Sequence, residues 1–325
     1  MNYGYYPGCS LERNAASYDV SARAVAQHLG FGLDELDDWN CCGAVEYIAI
    51  NKLAAYALVA RNLALAQKQL HDGHTAADGR AQLVAPCSAC YLNLRKADAY
   101  LRENDYLREI TNESLAAGGL HYDPGAVYVR HLLEVIVNDV GLEEVRRRTV
   151  KPLTGLRIAP YYGCLIARPR FGGELSNTEY PVELDQLMKA IGAEAVDFPL
   201  KAHCCGGHMT QISAEVAYEL LRQLLQNATD YHADVLVTVC PMCQLNLDAY
   251  QSRVNQHFGT GFHLPILYFT QVLGLAFGID AKALGFGKEM VSADEALRKI
   301  GTAPAAEVVT RKKKDDKALP MPGSR

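Results

Sequence analysis

The chain has 325 residues, 49% hydrophobic and 21% charged, enough length and apolar content for two ordinary domains with cores of their own. Its formal net charge of -5 supplies no basic footprint, which argues against nucleic acid as a partner. The N-terminus lacks the basic and apolar stretches of a secretory leader, and no stretch is apolar for long enough to span a bilayer, so the expected compartment is the reducing cytoplasm.

In chain order, Asn2 to Tyr6 reads as an aromatic strand that ends at Pro7 and Gly8 and delivers Cys9 onto a loop. Ala16 to Leu29 predicts a helix with Val20, Ala24 and Leu29 on one side and Gly30 as its stop. Leu33 to Asn40 predicts a short strand running into the turn at Cys41, Cys42 and Gly43. Ala44 to Leu70, free of Gly and Pro, predicts one long helix, and His71 to Arg80 a polar loop. A strand from Ala81 to Ala85 leads through Pro86 to Cys87 and Cys90, with Cys90 opening the next helix. Thr111 to Gly125 reads as loop, and Val127 to Asn138 as a strand running into a helix.

Lys151 to Gly155 is the expected boundary, because the same order then repeats. Arg157 to Cys164 matches the opening strand, Val182 to Ile191 the first helix, and Glu194 to Gly207 the second strand with its double-cysteine turn. Ser213 to Ala228 matches the long helix and Asp234 to Cys243 the third strand. Leu264 to Ile279 reads as a buried helix. The expected fold is α/β: two homologous Rossmann-like domains, residues 1–150 and 151–301, each a parallel sheet flanked by helices and related by a pseudo-twofold axis. Residues 302–325, rich in Ala, Pro and charge, predict a flexible tail.

All ten cysteines obey this duplication. One set is Cys9, Cys41, Cys42, Cys87 and Cys90; the other is Cys164, Cys204, Cys205, Cys240 and Cys243. Each group follows a predicted strand, and in a parallel sheet the strand C-termini share one edge, so each set is expected to converge. A tetrahedral zinc site needs four ligands, whereas each half offers five, two of them adjacent with diverging side chains. Thiolate-only ligation leaves iron–sulfur and zinc open, and five donors favour a multi-iron cluster. Gly43 and Gly206 let the backbone come close to a bulky inorganic body, and the helix after each group aims amides at the thiolates. Vicinal disulfides are strained, and a thioredoxin-type C-x-x-C has no use for the other three cysteines.

These motifs resemble the cysteine-rich CCG-domain family, in particular the B subunit of heterodisulfide reductase and its relatives in sulfur oxidisers. The second copy fits closely, with 39 residues between Cys164 and Cys204 and 34 between Cys205 and Cys240. The first has 31 between Cys9 and Cys41 but 44 between Cys42 and Cys87, the surplus falling in the His71 to Arg80 loop. The resemblance implies two noncubane [4Fe-4S] clusters facing one another, with a disulfide cleaved or formed between them. It also implies a ferredoxin-like C subunit, a flavin-containing A subunit, and a thiol or disulfide substrate, in sulfur oxidation a lipoyl carrier protein. The chain carries no G-x-G-x-x-G after its opening strand and no ferredoxin cysteine run, which is why electrons are expected to enter from other subunits.

Two other functions are weighed against this one. The chain is alternatively the CCG electron-transfer subunit of a succinate/fumarate or glycolate/lactate oxidoreductase. In a different class, it is a zinc-stapled docking subunit without chemistry, and zinc is the alternative occupant of the first site in particular. His203, His208 and Lys201 are candidate substrate contacts, for which backbone hydrogen bonding and, for Lys201, a surface position are the plainer readings. Tyr5, Tyr6, Tyr161 and Tyr162 are expected to pack the strand ends around the cysteines.

Overall fold

The computed structural model describes residues 1–44, 46–70, 74–168, 171 and 175–302. The expected tail therefore lies outside the described residues but for Thr302. Strands β1 (Asn2–Tyr5), β2 (Gly32–Glu35), β3 (Ala81–Ala85) and β4 (Val127–His131) form one sheet. β5 (Arg157–Tyr161), β6 (Glu194–Ala195), β7 (Val235–Thr238) and β8 (Ile266–Tyr268) form the other. The strand orders are β2-β1-β3-β4 and β6-β5-β7-β8, with every pairing parallel. β3 and β7 are buried at every position, as central strands covered on both faces must be. The chain is thus two Rossmann-like α/β units with the same strand order.

The helices that matter for the site are α1 (Ala16–Leu29), α2 (Lys52–Gln69), α3 (Ser88–Glu103), α4 (Asp105–Ala116) and α5 (Leu142–Arg148). Their counterparts and successors are α6 (Glu183–Ala190), α7 (Ala214–Asp230), α8 (Pro241–Ala249) and α9 (Phe269–Ala276). The two units are clasped reciprocally: α9, which follows the last strand of the second sheet, packs on α1, while α5, which follows the last strand of the first, packs on α6. Phe269, Val272, Leu273 and Ala276 are fully buried in this contact and belong to the same core as Tyr3 and Leu83 of the first sheet. Each of the larger three contributes about 1.5–3 kcal/mol by leaving water. The clasp is what holds the two sheet edges, and with them the two cysteine sets, in a set orientation.

Several expectations need correction. The helix expected from Ala44 to Leu70 is broken: a short turn, Tyr47–Ile50, ends at Asn51, whose extended backbone and side-chain bond from the Ala54 amide (3.1 Å) start α2 afresh. Asn competes with the helical backbone in this way and is favoured at caps. Thr111 to Ala116, expected as loop, continues α4, capped by Asn104 and buried through Leu107, Thr111 and Leu115 at four-residue spacing. Leu264 to Ile279 is not one helix, because Ile266–Tyr268 completes the second sheet before α9 begins. In α1 the buried residues are Ser17, Tyr18, Ser21, Ala22, Val25, Ala26 and Leu29, while Val20 is exposed; being gripped by its own sheet and by α9, the helix buries a wider and differently placed stripe. Finally, the helices after the C-x-x-C motifs begin at Ser88 and Pro241, so Cys87 and Cys240 are the caps and Cys90 and Cys243 lie in the first turn.

A paired-thiol centre at the joined sheet edges

The parallel order of both sheets brings every cysteine group to the strand C-termini, and there the ten free thiols stand in close contact with one another. Cys9 and Cys41 lie with their sulfurs 3.3 Å apart, Cys42 and Cys90 at 3.4 Å, and Cys205 and Cys243 at 3.4 Å. Cys164 stands beside Cys204, the counterpart of Cys9 beside Cys41. One contact crosses the halves: Cys87 stands beside Cys240. Those two occupy equivalent positions in the repeat, and through them the two sets adjoin.

Proton sharing within the pairs separates the thiols. Cys164 donates to Cys204, and this, with the Gly206 amide and the charge of Arg168, lowers the Cys204 pKa to about 6. Bonds from Cys42 and then Cys9 bring Cys41 down to about 2, and Cys42 rises to about 11 because its bond to Cys41 and its burial favour the thiol. Bonds from Cys243 and Cys87, together with the first-turn amides of α8, hold Cys240 well below the usual thiol value. The fold thus presents thiolates in both sets, the form that binds soft metals.

Backbone elements repeat around the pairs. Gly43 and Gly206, at φ +76° and +88°, turn their amides back onto Cys41 and Cys204 at 3.5 and 3.3 Å. Gly8 and Gly163, at φ +74° and +71°, sit so close to the last cysteine that a Cβ would come within 2.8 Å of the Cys90 sulfur or 2.9 Å of the Cys243 sulfur. The Tyr6 and Tyr161 hydroxyls each donate to the carbonyl preceding the double cysteine, Asn40 and His203, both at 2.7 Å. Tyr5 and Tyr162 instead reach Asp19 and Asp185 on the first helix of their halves, each at 2.8 Å. Asn93 donates to the carbonyls of Cys42 and Ala44, and Asn246 to those of Cys205 and Gly207. These two asparagines were legible in the sequence as a shared C-x-x-C-x-L-N, three residues past each motif.

Cavities lie beside both sets. All five cysteines of the second set line one cavity of about 300 Å³, walled mainly by apolar side chains such as Leu165, Ile212 and Met242 and closed from the first half by Glu46 and Ser88. Beside the first set, the cavity at Cys42 holds about 10 Å³ and touches no other cysteine. Among the described residues, no three His, Cys, Asp or Glu side chains close on a single point as one metal ion requires. Five thiols distributed over the wall of a cavity suit a polynuclear body; a zinc ion would need four sulfurs drawn to about 2.3 Å from one centre.

The three other candidates fare differently. His208 pairs with Glu46 across the halves and lines the cavity. His203 is exposed, and its carbonyl serves Tyr161. Lys201 is a correction to both readings of it: only 1% exposed, it is neither a surface lysine nor free for an anion, because its Nζ is bonded to Asp185 at 2.8 Å and lies 3.9 Å from the centroid of the Tyr180 ring. Its carbonyl accepts from the Tyr162 and Gly163 amides at 2.9 and 3.1 Å, tying the Cys164 turn to the Cys204 loop.

The model of the cysteine-rich CCG domain matches residues 3–95 and 158–248, the two halves around their cysteine sets. The chain is 32% identical over 291 residues to the 8-methylmenaquinol:fumarate reductase membrane anchor subunit of Wolinella succinogenes, covering 90% of this chain and 97% of that one. It is 30% identical over 298 residues to the B subunit of the ferredoxin/F(420)H(2)-dependent CoB-CoM heterodisulfide reductase of Methanosarcina acetivorans, covering 91% and 95%. Among solved structures, a hypothetical protein from Helicobacter pylori superposes with a TM-score of 0.68 at 16% identity; the match covers 90% of this chain and 52% of that one, and shows the fold alone. The chain belongs to the cysteine-rich CCG-domain family, with the B subunit of heterodisulfide reductase among its homologues.

Proposed function

We propose that this chain is the iron–sulfur subunit of a disulfide/dithiol oxidoreductase complex of the heterodisulfide reductase kind, with residues 1–150 and 151–301 each holding a noncubane [4Fe-4S] cluster. The observation that carries the reading is the single cavity lined by five thiols, joined to the other set through Cys87 and Cys240. Such clusters supply single-electron transfer and an open iron position for sulfur. The protein's own part is to hold thiolates ready, to aim the Gly43 and Gly206 amides at them, and to keep the second site apolar and sheltered. Reducing a disulfide to two thiols takes two electrons and two protons, so two one-electron centres in contact suit it. Electrons then come from ferredoxin-like and flavin-containing partner subunits, and the substrate is a disulfide or dithiol, a lipoyl carrier protein included. The ten free thiols fit a cytoplasmic setting. No helix among the described residues is long and apolar enough to cross a membrane.

A second reading rests on the 32% identity to a fumarate reductase subunit: the same centre passing electrons between a dehydrogenase and a quinol. Anaerobic metal analysis tests the shared part, with about eight irons per chain expected for two four-iron clusters; one or two zincs with little iron would instead point to a docking subunit. Electron paramagnetic resonance with and without candidate thiols separates the first two readings. A thiol-induced signal that disappears in Cys204→Ser supports disulfide chemistry at the second site, and a thiol-indifferent signal supports quinol-linked transfer.

A further inference from the structure

The second-site cavity contains a polar group that the cysteine pattern does not account for. Ser88, between Cys87 and Cys90 of the first set, is fully buried, and its Oγ has no hydrogen-bond partner among the described residues. Ser88 is one of the residues lining the cavity formed by Cys164, Cys204, Cys205, Cys240 and Cys243, so the first half reaches the site of the second. A buried hydroxyl gives up its bonds to water and is retained without loss only when something else accepts from it. The polar side chains around it are the thiols, Tyr162, whose hydroxyl donates to Asp185, and the rim pair Glu46 and His208, which bond each other. A sulfur of the occupied centre would supply that acceptor. The position equivalent to Ser88 in the second half is Pro241, which has neither hydroxyl nor amide hydrogen to offer in return.

We infer that Ser88 is a positioning and tuning residue: its hydroxyl, contributed from the first half, donates a hydrogen bond to sulfur of the centre held at the second site. The inference rests on the iron–sulfur reading above. A donor to sulfur stabilises the reduced state more than the oxidised one, because the reduced centre carries the extra negative charge, and so it raises the reduction potential. With proline at the corresponding place in the other half, the two sites are inequivalent, and the second is the one raised.

The test uses the full-length protein, purified anaerobically with its metal, as wild type, Ser88→Ala and Ser88→Thr. Potentiometric titration followed by electron paramagnetic resonance reads the midpoint of each site, the second being identified by its loss in Cys204→Ser. Ser88→Ala is expected to lower the second-site midpoint and leave the first where it was, with iron content retained; Ser88→Thr, which keeps the hydroxyl, restores the wild-type value. Metal-free Ser88→Ala is expected to be no less stable than metal-free wild type, since an unpaired buried hydroxyl has been removed. An unchanged second-site midpoint at full iron content overturns the inference, and so does a stability loss in the metal-free variant without a shift in potential. Wild-type protein lacking iron would instead overturn the iron–sulfur reading, and the inference with it.

Discussion

Lys201→Met removes the cation of a buried pair and leaves its partner in place. In the native protein Asp185 Oδ1 accepts from Lys201 Nζ at 2.8 Å and Oδ2 accepts from the Tyr162 hydroxyl at 2.8 Å, with the two charged side chains only 1% and 11% exposed. Breaking such a pair from one side costs about 3–5 kcal/mol, because a carboxylate stays buried without its counter-charge. Asp185 keeps the Tyr162 bond, so the lower end, about 3 kcal/mol, is expected. In Lys201→Met/Asp185→Leu the stranded charge is gone and only the Tyr162 hydroxyl loses its acceptor, a cost of about 1 kcal/mol. The double variant should therefore be more stable than the single. Urea denaturation of the metal-free protein, followed by far-ultraviolet circular dichroism, measures both. A cost for Lys201→Met below about 1 kcal/mol, in the range of an exposed pair, would refute this account.

Gly163→Ala puts a methyl 2.9 Å from the Cys243 sulfur at a backbone φ of +71°, so with one cluster in each half, as proposed, chemical analysis should find about half the metal of wild type, with Gly8→Ala doing the same to the first site; full metal content in either variant would show that the glycine is not required. Asn246→Leu removes the donor held by the Cys205 and Gly207 carbonyls, and a loss of about 1–3 kcal/mol is expected in thermal unfolding, the cost of leaving buried acceptors unsatisfied; Asn93→Leu should act alike on the first turn. In metal-free protein, Cys204 is a thiolate above about pH 6 while Cys164 keeps its proton. Iodoacetamide should accordingly modify Cys204 before Cys164, its rate falling as pH drops through about 6, as mapped by mass spectrometry; the reverse order would contradict the direction of proton sharing. A depressed pKa also means that the contribution of Cys204 to the metal-free fold is complete above the ordinary thiol range and is lost as pH falls through about 6.

Seven of the eight strands among the described residues and the convergence of each cysteine set were legible in the sequence, the strand Ile266–Tyr268 being read as helix. Strand, cysteine and helix recur there in register, and parallel sheets leave strand C-termini only one edge to share. Glycines at the turns were legible for the same local reason, since a positive φ selects them. Local pattern carries no information about which helix covers which sheet, so the wrong face was expected for α1: Val20 is exposed because α9 from the other half decides what α1 buries. The same applies to Lys201, whose charge reads as surface until its ion pair with Asp185, 16 residues away, is seen. What the tertiary structure alone decided is that the two cysteine sets adjoin, through Cys87 and Cys240. The meeting of Cys87 with Cys240, and of Ser88 with the second cavity, depends on the reciprocal clasp of α1 with α9 and α5 with α6, a long-range packing choice that no local spacing encodes.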